Sequence, residues 1–268
     1  MMRTPPWRTL IASGGMLLAV YVLFLVVLAP ATLLDAGLRH ATDGRLRLAQ
    51  AHGTLWSGGG QLEIVNATAT GGVGKELAWT LQPRALWAGR LDYEVAIDHA
   101  TSRFPLRLSP RGIALANVDF ALPASTLGVA VPRLAPLGPR GDLVWHIAKF
   151  SRAGDDLAVD ARMIWQDASS ALTAVAPLGT YELRVNGAAG LVKVTLHTRS
   201  GPLQLDGNGS ARGNGPLEFS ATARVDAPHR AQLTPLLRLI AIERSNGEFA
   251  LQFNPPLGRA AATPPKNP

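Results

Sequence analysis

The sequence predicts a mostly β protein: an N-terminal transmembrane helix followed by an elongated, curved antiparallel β-sheet domain with a short C-terminal helix. Three observations predict it. An uncharged apolar run occupies residues 10–29. Beyond residue 45, apolar residues recur at every second position in one short segment after another, the period of a half-buried strand. The 27 Gly and 20 Pro punctuate these segments where crossover helices would otherwise stand, which favours tight turns and an antiparallel meander.

The run LIASGGMLLAVYVLFLVVLA has the length, about 20 residues, that a helix needs to cross a bilayer core. Arg3 and Arg8 precede it and no acidic residue appears before Asp35. The positive-inside rule therefore places residues 1–9 in the cytoplasm and everything beyond residue 30 outside it. The competing reading is a signal peptide cut at Ala29-Pro30-Ala31. The apolar run exceeds the roughly 7–15 residues of a signal core, and the proline disfavours cleavage. A retained anchor over 10–29 is the expectation, with residues 30–253 as one translocated domain.

Within TLLDAGLRHAT, Leu34, Leu38 and Ala41 have helical spacing, and a short helix should end near Asp43-Gly44. The period then changes. Leu46, Leu48 and Gln50 share one side, and Leu62 and Ile64 repeat the pattern. Leu77, Trp79 and Leu81 alternate next, then Leu91, Tyr93, Val95 and Ile97. Nine further segments, from FPLRLS to GEFALQFN, read the same way. Turns are expected at 110–112, 154–156, Asn186-Gly187, Asp206-Gly207 and Asn246-Gly247. About a dozen strands result, with one face apolar and the other polar. A helix is predicted over 235–244, with Thr234 as N-cap and Pro235 at its first position; Leu233, Leu236, Leu237 and Ile240 form its apolar stripe. Residues 254–268 read as a disordered tail. Residues 45–100 and 140–227 suggest two halves separated by 123–139, but no fixed period establishes a repeat.

Composition narrows the function. The formal charge is +7, yet the arginines stand singly along alternating segments and read as solvated strand faces. No nucleic-acid signature appears. With no Cys, disulfides and thiolate metal sites are excluded, which suits an extracytoplasmic domain. His40, His52, His99, His146, His197 and His229 make no short-spaced ligand pair. No G-x-S-x-G elbow exists. Residues 69–76 fail as a phosphate loop because Ala69 and Glu76 stand where Gly and Ser/Thr are needed. Asp155-Asp156 reads as a solvated turn. No catalytic residue, metal site or cofactor is expected, and the chain reads as non-enzymatic.

Five blocks in order carry a family resemblance: LRLAQAHGTLWSGGGQL, LAWTLQPRALWAGRLDYEV, PLGTYELRVNG, SGPLQLDGNGSAR and LTPLLRLIAIERSNGEFAL. With the N-terminal anchor, they resemble the type II secretion system protein N family, also called general secretion pathway protein N. The most specific parts are G-T-L-W-x-G, with Gly53, Thr54, Leu55, Trp56 and Gly58, and L-x-W-x-L-x-P, with Leu77, Trp79, Leu81 and Pro83. The resemblance implies a single-pass inner-membrane accessory component of the machinery that exports folded proteins across the outer membrane. Its implied partners are other inner-membrane or periplasmic components of that machinery. A looser likeness in pattern to AsmA-like sheets raises the alternative of a lipid-handling module with an apolar β groove.

The motif residues have two readings. Gly53 and the run 58–60 permit a tight reversal, with backbone conformations closed to residues bearing Cβ. Trp56 then folds over the end of the first hairpin, joined by Trp79 and Trp87, either as core packing or as a docking or lipid-contact surface.

Overall fold

The computed structural model describes residues 6–44, 46–64, 73–98, 103–154, 156–213, 215–244 and 247–253. The expected tail lies outside these residues, as does His99. Two helices come first, α1 (Pro6–Val27) and α2 (Thr32–Ala41). Among the described residues fourteen strands follow: β1 (Leu46–Gly53), β2 (Ser57–Ile64), β3 (Val73–Leu81), β4 (Leu91–Ile97), β5 (Arg103–Ser109), β6 (Gly112–Pro123), β7 (Pro139–Ala153), β8 (Asp156–Ser170), β9 (Gly179–Ala188), β10 (Leu191–Ser200), β11 (Leu203–Arg212), β12 (Glu218–Val225), β13 (Ile242–Glu243) and β14 (Phe249–Phe253). Helix α3 (Thr126–Ala130) lies in the β6–β7 connection, and α4 (Arg230–Ile240) follows β12.

All strands belong to one antiparallel sheet, each beside its sequence neighbour except that β14 lies between β12 and β13. Alternation sorts the side chains onto two faces. Leu81, Tyr93, Leu106, Leu115, Phe150 and Val159 stand opposite one another in six successive strands. The same rung continues through Gly187 and Val192 to Ala211. On the other face Asp119, His146, Arg162, Arg184, Thr195, Asn208 and Ser220 form a wholly polar rung.

The apolar face holds three clusters. Leu48, Trp79, Leu81, Tyr93, Val95, Phe104 and Val118 form the first, with Leu34 and Leu38 of α2 packed against it. Ala124, Leu143 and Met163 form the second, flanked by Leu127, Trp145 and Trp165. Here Phe120 stacks on its cross-strand partner Trp145, with ring centres 6.1 Å apart. The third joins Leu203, Ala223, Val225 and Phe249 to Leu233, Leu236 and Leu237 of α4. The helices thus cover the ends of the sheet, and α3 touches its middle.

The N-terminal edge is closed by side chains rather than by a strand. Asp35 of α2 accepts the Leu48 N–H at 2.7 Å, and Thr42 Oγ1 accepts the Leu46 N–H at 3.1 Å. This masks main-chain groups that would otherwise invite edge pairing.

Several sequence expectations are corrected. Helix α4 begins at Arg230, not 235, and Pro235 lies inside it. A short 3-10 turn, Ala227–His229, leads into it. Thr234 does not cap; its hydroxyl donates to the Arg230 carbonyl one turn back. The chain leaves the helix at Ile240 because residues 242–243 are drawn into the sheet against β14. Asn186-Gly187 and Asp206-Gly207 are not turns but lie within β9 and β11. Glycine is needed there for room: a Cβ on Gly207 would stand 2.8 Å from the Phe219 ring. Gln50 does not continue the Leu46–Leu48 face. It sits at a bulge with φ of 51°, which turns Ala51 toward the core instead.

Candidate functional site

The G-T-L-W-x-G residues form the loop between β1 and β2, and they clasp the link between α1 and α2. Gly53 ends β1 with φ of 85°, where a Cβ would stand 2.6 Å from the Ser57 carbonyl. Thr54 then tightens the turn. Its N–H bonds the Ser57 carbonyl at 2.9 Å, and its hydroxyl accepts the Trp56 and Ser57 N–H groups at 3.3 and 3.2 Å.

This turn presents its backbone to residues 29–31. The Ala31 N–H donates to the Gly53 carbonyl at 3.2 Å and the Leu55 N–H donates to the Ala29 carbonyl at 2.8 Å, which together make Pro30 and Thr54 an antiparallel bridge. Ala31 is itself core, at 1% exposure. The half-buried Trp56 packs against the first cluster, and its indole N–H donates to the Val26 carbonyl at 2.9 Å. That carbonyl belongs to the last turn of α1 and also accepts the Ala29 N–H at 3.2 Å.

Beneath the clasp, Trp79 is 4% exposed and donates its indole N–H to the Thr54 carbonyl at 3.2 Å. Trp56 also accepts the Leu81 N–H at 2.6 Å. Gly58 faces Trp79 across β2 and β3; a Cβ there would stand 2.3 Å from the His52 carbonyl and 2.8 Å from the Trp79 ring. Gly58, Gly59 and Gly60 are strand residues without positive φ, so close approach rather than turn conformation requires glycine at 58. Leu77 joins the same cluster. Of the motif residues, Pro83 stands apart, exposed at the start of a 3-10 turn, Pro83–Ala88. Trp87, expected beside Trp56, is 96% exposed. It lies in the 3-10 turn between β3 and β4, whose one buried residue is Ala85.

The partners of the motif in α1 and the link were missed from the sequence. Ala29-Pro30-Ala31 resembled only a poor cleavage site, since small residues signal nothing about a long-range backbone contact.

A second constellation was also missed. Glu182 on β9 is buried, with its side chain 8% exposed, and meets three arginines from three strands. Arg184 Nε donates to Oε1 at 2.6 Å and Arg199 Nε donates to Oε2 at 2.7 Å; Arg162 lies 3.7 Å from Oε1. The hydrogen bonds from Arg184 and Arg199 hold the Glu182 carboxyl below the ordinary carboxylate range, against the opposing effect of burial. Nearby, Tyr181 donates to the Leu203 carbonyl at 3.0 Å, and burial raises its phenol well above the usual range. Among the described residues no group of His, Asp and Glu is placed to hold a metal ion.

The type II secretion system protein N family model matches residues 44–252, from the start of the sheet to β14. The chain belongs to that family. No curated protein and no solved structure matches it. For this protein N chain, membership supplies an accessory role in type II secretion, and both motif blocks fall inside the matched residues.

The first helix lies outside the match. Its described side chains, from Met16 to Val27 with Ala19 apart, are apolar and exposed. Among the described residues no helix is long and apolar enough to cross a membrane.

Proposed function

We propose that this protein is a non-enzymatic accessory component of the type II secretion machinery. Its first helix holds it in the inner membrane, residues 1–9 face the cytoplasm, and the sheet acts in the periplasm through contacts with other secretion components. The observation that carries the anchor is the clasp. The two backbone hydrogen bonds of the Pro30–Thr54 bridge and the Trp56 indole tie the end of α1 to the sheet, and Ala31 lies in the core. A disposable leader has no reason to be built into the domain it leaves. The exposed apolar side chains of α1 have an unfavourable surface in water and a natural one in lipid. The motif residues then position the membrane helix against the sheet.

A periplasm-dependent reporter fused after Pro268 is expected to be active and a cytoplasm-dependent one silent. The membrane-extracted protein should retain its N-terminal residues. A mature protein beginning near Thr32, or the reverse reporter pattern, overturns the anchor. Deleting the chain should lower export of folded substrates, and the full chain should restore it.

A second reading, the lipid-handling module, draws on the apolar face. Apolar side chains continue from rung to rung across the sheet, while the helices pack on its ends. Recovery of bound phospholipid after gentle extraction, reduced by a Leu115→Glu substitution in the middle of that face, supports this alternative; lipid-free protein excludes it.

A further inference from the structure

We infer that the polar face of β8, β9 and β10 is a docking surface for a carboxylate-rich segment of a partner protein, anchored by Arg162, Arg184 and Arg199. This rests on the reading that the domain works through protein contacts.

The charge balance is the first argument. One carboxylate neutralises one guanidinium, but Glu182 gathers three. Elsewhere on this face the arginines pair one to one, Arg47 with Glu63 and Arg224 with Glu248. Within the Glu182 cluster itself three guanidiniums thus meet one carboxylate, and the next carboxylates on this face, Asp119 and Asp206, are hydrogen-bonded to His146 and His197.

Arg162 supplies the second argument. It stands directly opposite Arg184 in the β8–β9 register. Like charges at opposed positions destabilise a sheet. At 3.7 Å from Glu182 it makes an ion pair but no hydrogen bond, the longest of the three arginine contacts on that carboxylate. A residue that breaks a local rule and receives only its cluster's longest contact in return points to an external partner.

Geometry points to the kind of partner. Arg184 and Arg199 each use Nε on Glu182, which leaves the terminal NH groups to other acceptors. The three side chains are 44–59% exposed. Planar guanidinium forks match carboxylates bidentately. They project from neighbouring strands about 4.8 Å apart, on an open face rather than in an enclosing cavity. Such an array suits an extended acidic segment better than a small ion. Thr195, Asn208 and Ser220 continue the Arg162–Arg184 rung with hydrogen-bonding groups, beside a shallow depression of about 620 Å³.

The test uses the full chain in neutral lipid nanodiscs and a labelled polyglutamate peptide, read by fluorescence anisotropy. Arg162→Gln should leave the melting temperature at or above the wild-type value, because it removes a like-charge pair and no hydrogen bond. It should weaken peptide binding by about ten-fold, the scale of one charge-assisted hydrogen bond. Arg47→Gln, at a balanced pair on the same face, should bind as the wild type does. Equal binding by wild type and Arg162→Gln overturns the inference, as does an equal loss in Arg47→Gln. Phosphatidylglycerol vesicles captured through Arg162 while polyglutamate is ignored would also overturn it, by making the occupant a lipid surface. The secretion defect of the deletion tests the broader reading separately, so the two can fail independently.

Discussion

Trp56 and Trp79 occupy different environments within one motif, and substitutions should separate them. Trp79 is buried under the clasp. Trp79→Ala should cost about 3–5 kcal/mol, the scale for deleting a large buried aromatic. Trp56 is half-buried, and Trp56→Ala should cost roughly half as much. Trp56→Phe keeps most of the apolar contact and removes the indole hydrogen bond to the Val26 carbonyl, a loss of about 1 kcal/mol. Gly58→Ala places a methyl group against the His52 carbonyl and the Trp79 ring, so it should cost about 1–3 kcal/mol through overpacking. Trp87→Ala should change stability by less than about 0.5 kcal/mol, as expected of an exposed side chain. Denaturant unfolding of the full chain in detergent, followed by circular dichroism, ranks the five. A Trp56→Phe protein as stable as wild type would show that the indole contact with α1 contributes nothing.

At the scale of elements, α4 keeps a proline where its backbone cannot use one. Pro235 lacks the N–H that would pair with the Ala231 carbonyl. Pro235→Ala should raise the melting temperature, by about 1–2 kcal/mol of stability after the unfolded chain's gain in freedom is subtracted. Leu237→Ala, at a fully buried site, should lower stability by about 2–5 kcal/mol. If both are neutral, α4 does not seal the third cluster as its geometry requires. Strand β9 carries a pH dependence. The Glu182 carboxyl titrates lower folded than unfolded. Its contribution is therefore present above the unfolded value, about 4.3, and is lost as pH falls from there through the lower folded value. The stability difference between wild type and Glu182→Gln should be flat near neutral pH and shrink below about pH 4.3. A difference that grows on acidification would reverse the assignment.

For the whole molecule, a sequential meander has a consequence. Neighbouring strands are neighbours in sequence, and the three apolar clusters lie at different stations along the sheet. Such an arrangement should open in parts rather than as a unit. Hydrogen exchange on Leu237→Ala should speed in β12 and β14 and leave β1 to β4 near wild-type rates. Trp79→Ala should do the reverse. Uniform acceleration in either variant would mean that the sheet unfolds cooperatively from end to end.

Period-two alternation determined the strands and the apolar face, because side-chain direction in a strand follows from position alone, and the close-spaced turn signals without crossover helices gave the antiparallel class. The ordered motif blocks carried the family. The α2 helix and its end at Asp43-Gly44 were also readable, since helical spacing and turn chemistry are local. What local chemistry cannot encode is which distant groups meet. Gly187 and Gly207 carried turn dipeptides, yet packing of Val192 and Phe219 over them kept both in strands. Pro235 carried a helix-start signal, yet burial of Leu233 on the sheet drew the helix N-terminal of it. The contact of Trp56 with α1, and the gathering of Arg162, Arg184 and Arg199 on Glu182, depend on register between strands and on the return of the link to the sheet. Only the tertiary structure decided these, because long-range pairing is set by the burial of the whole face and not by any one segment.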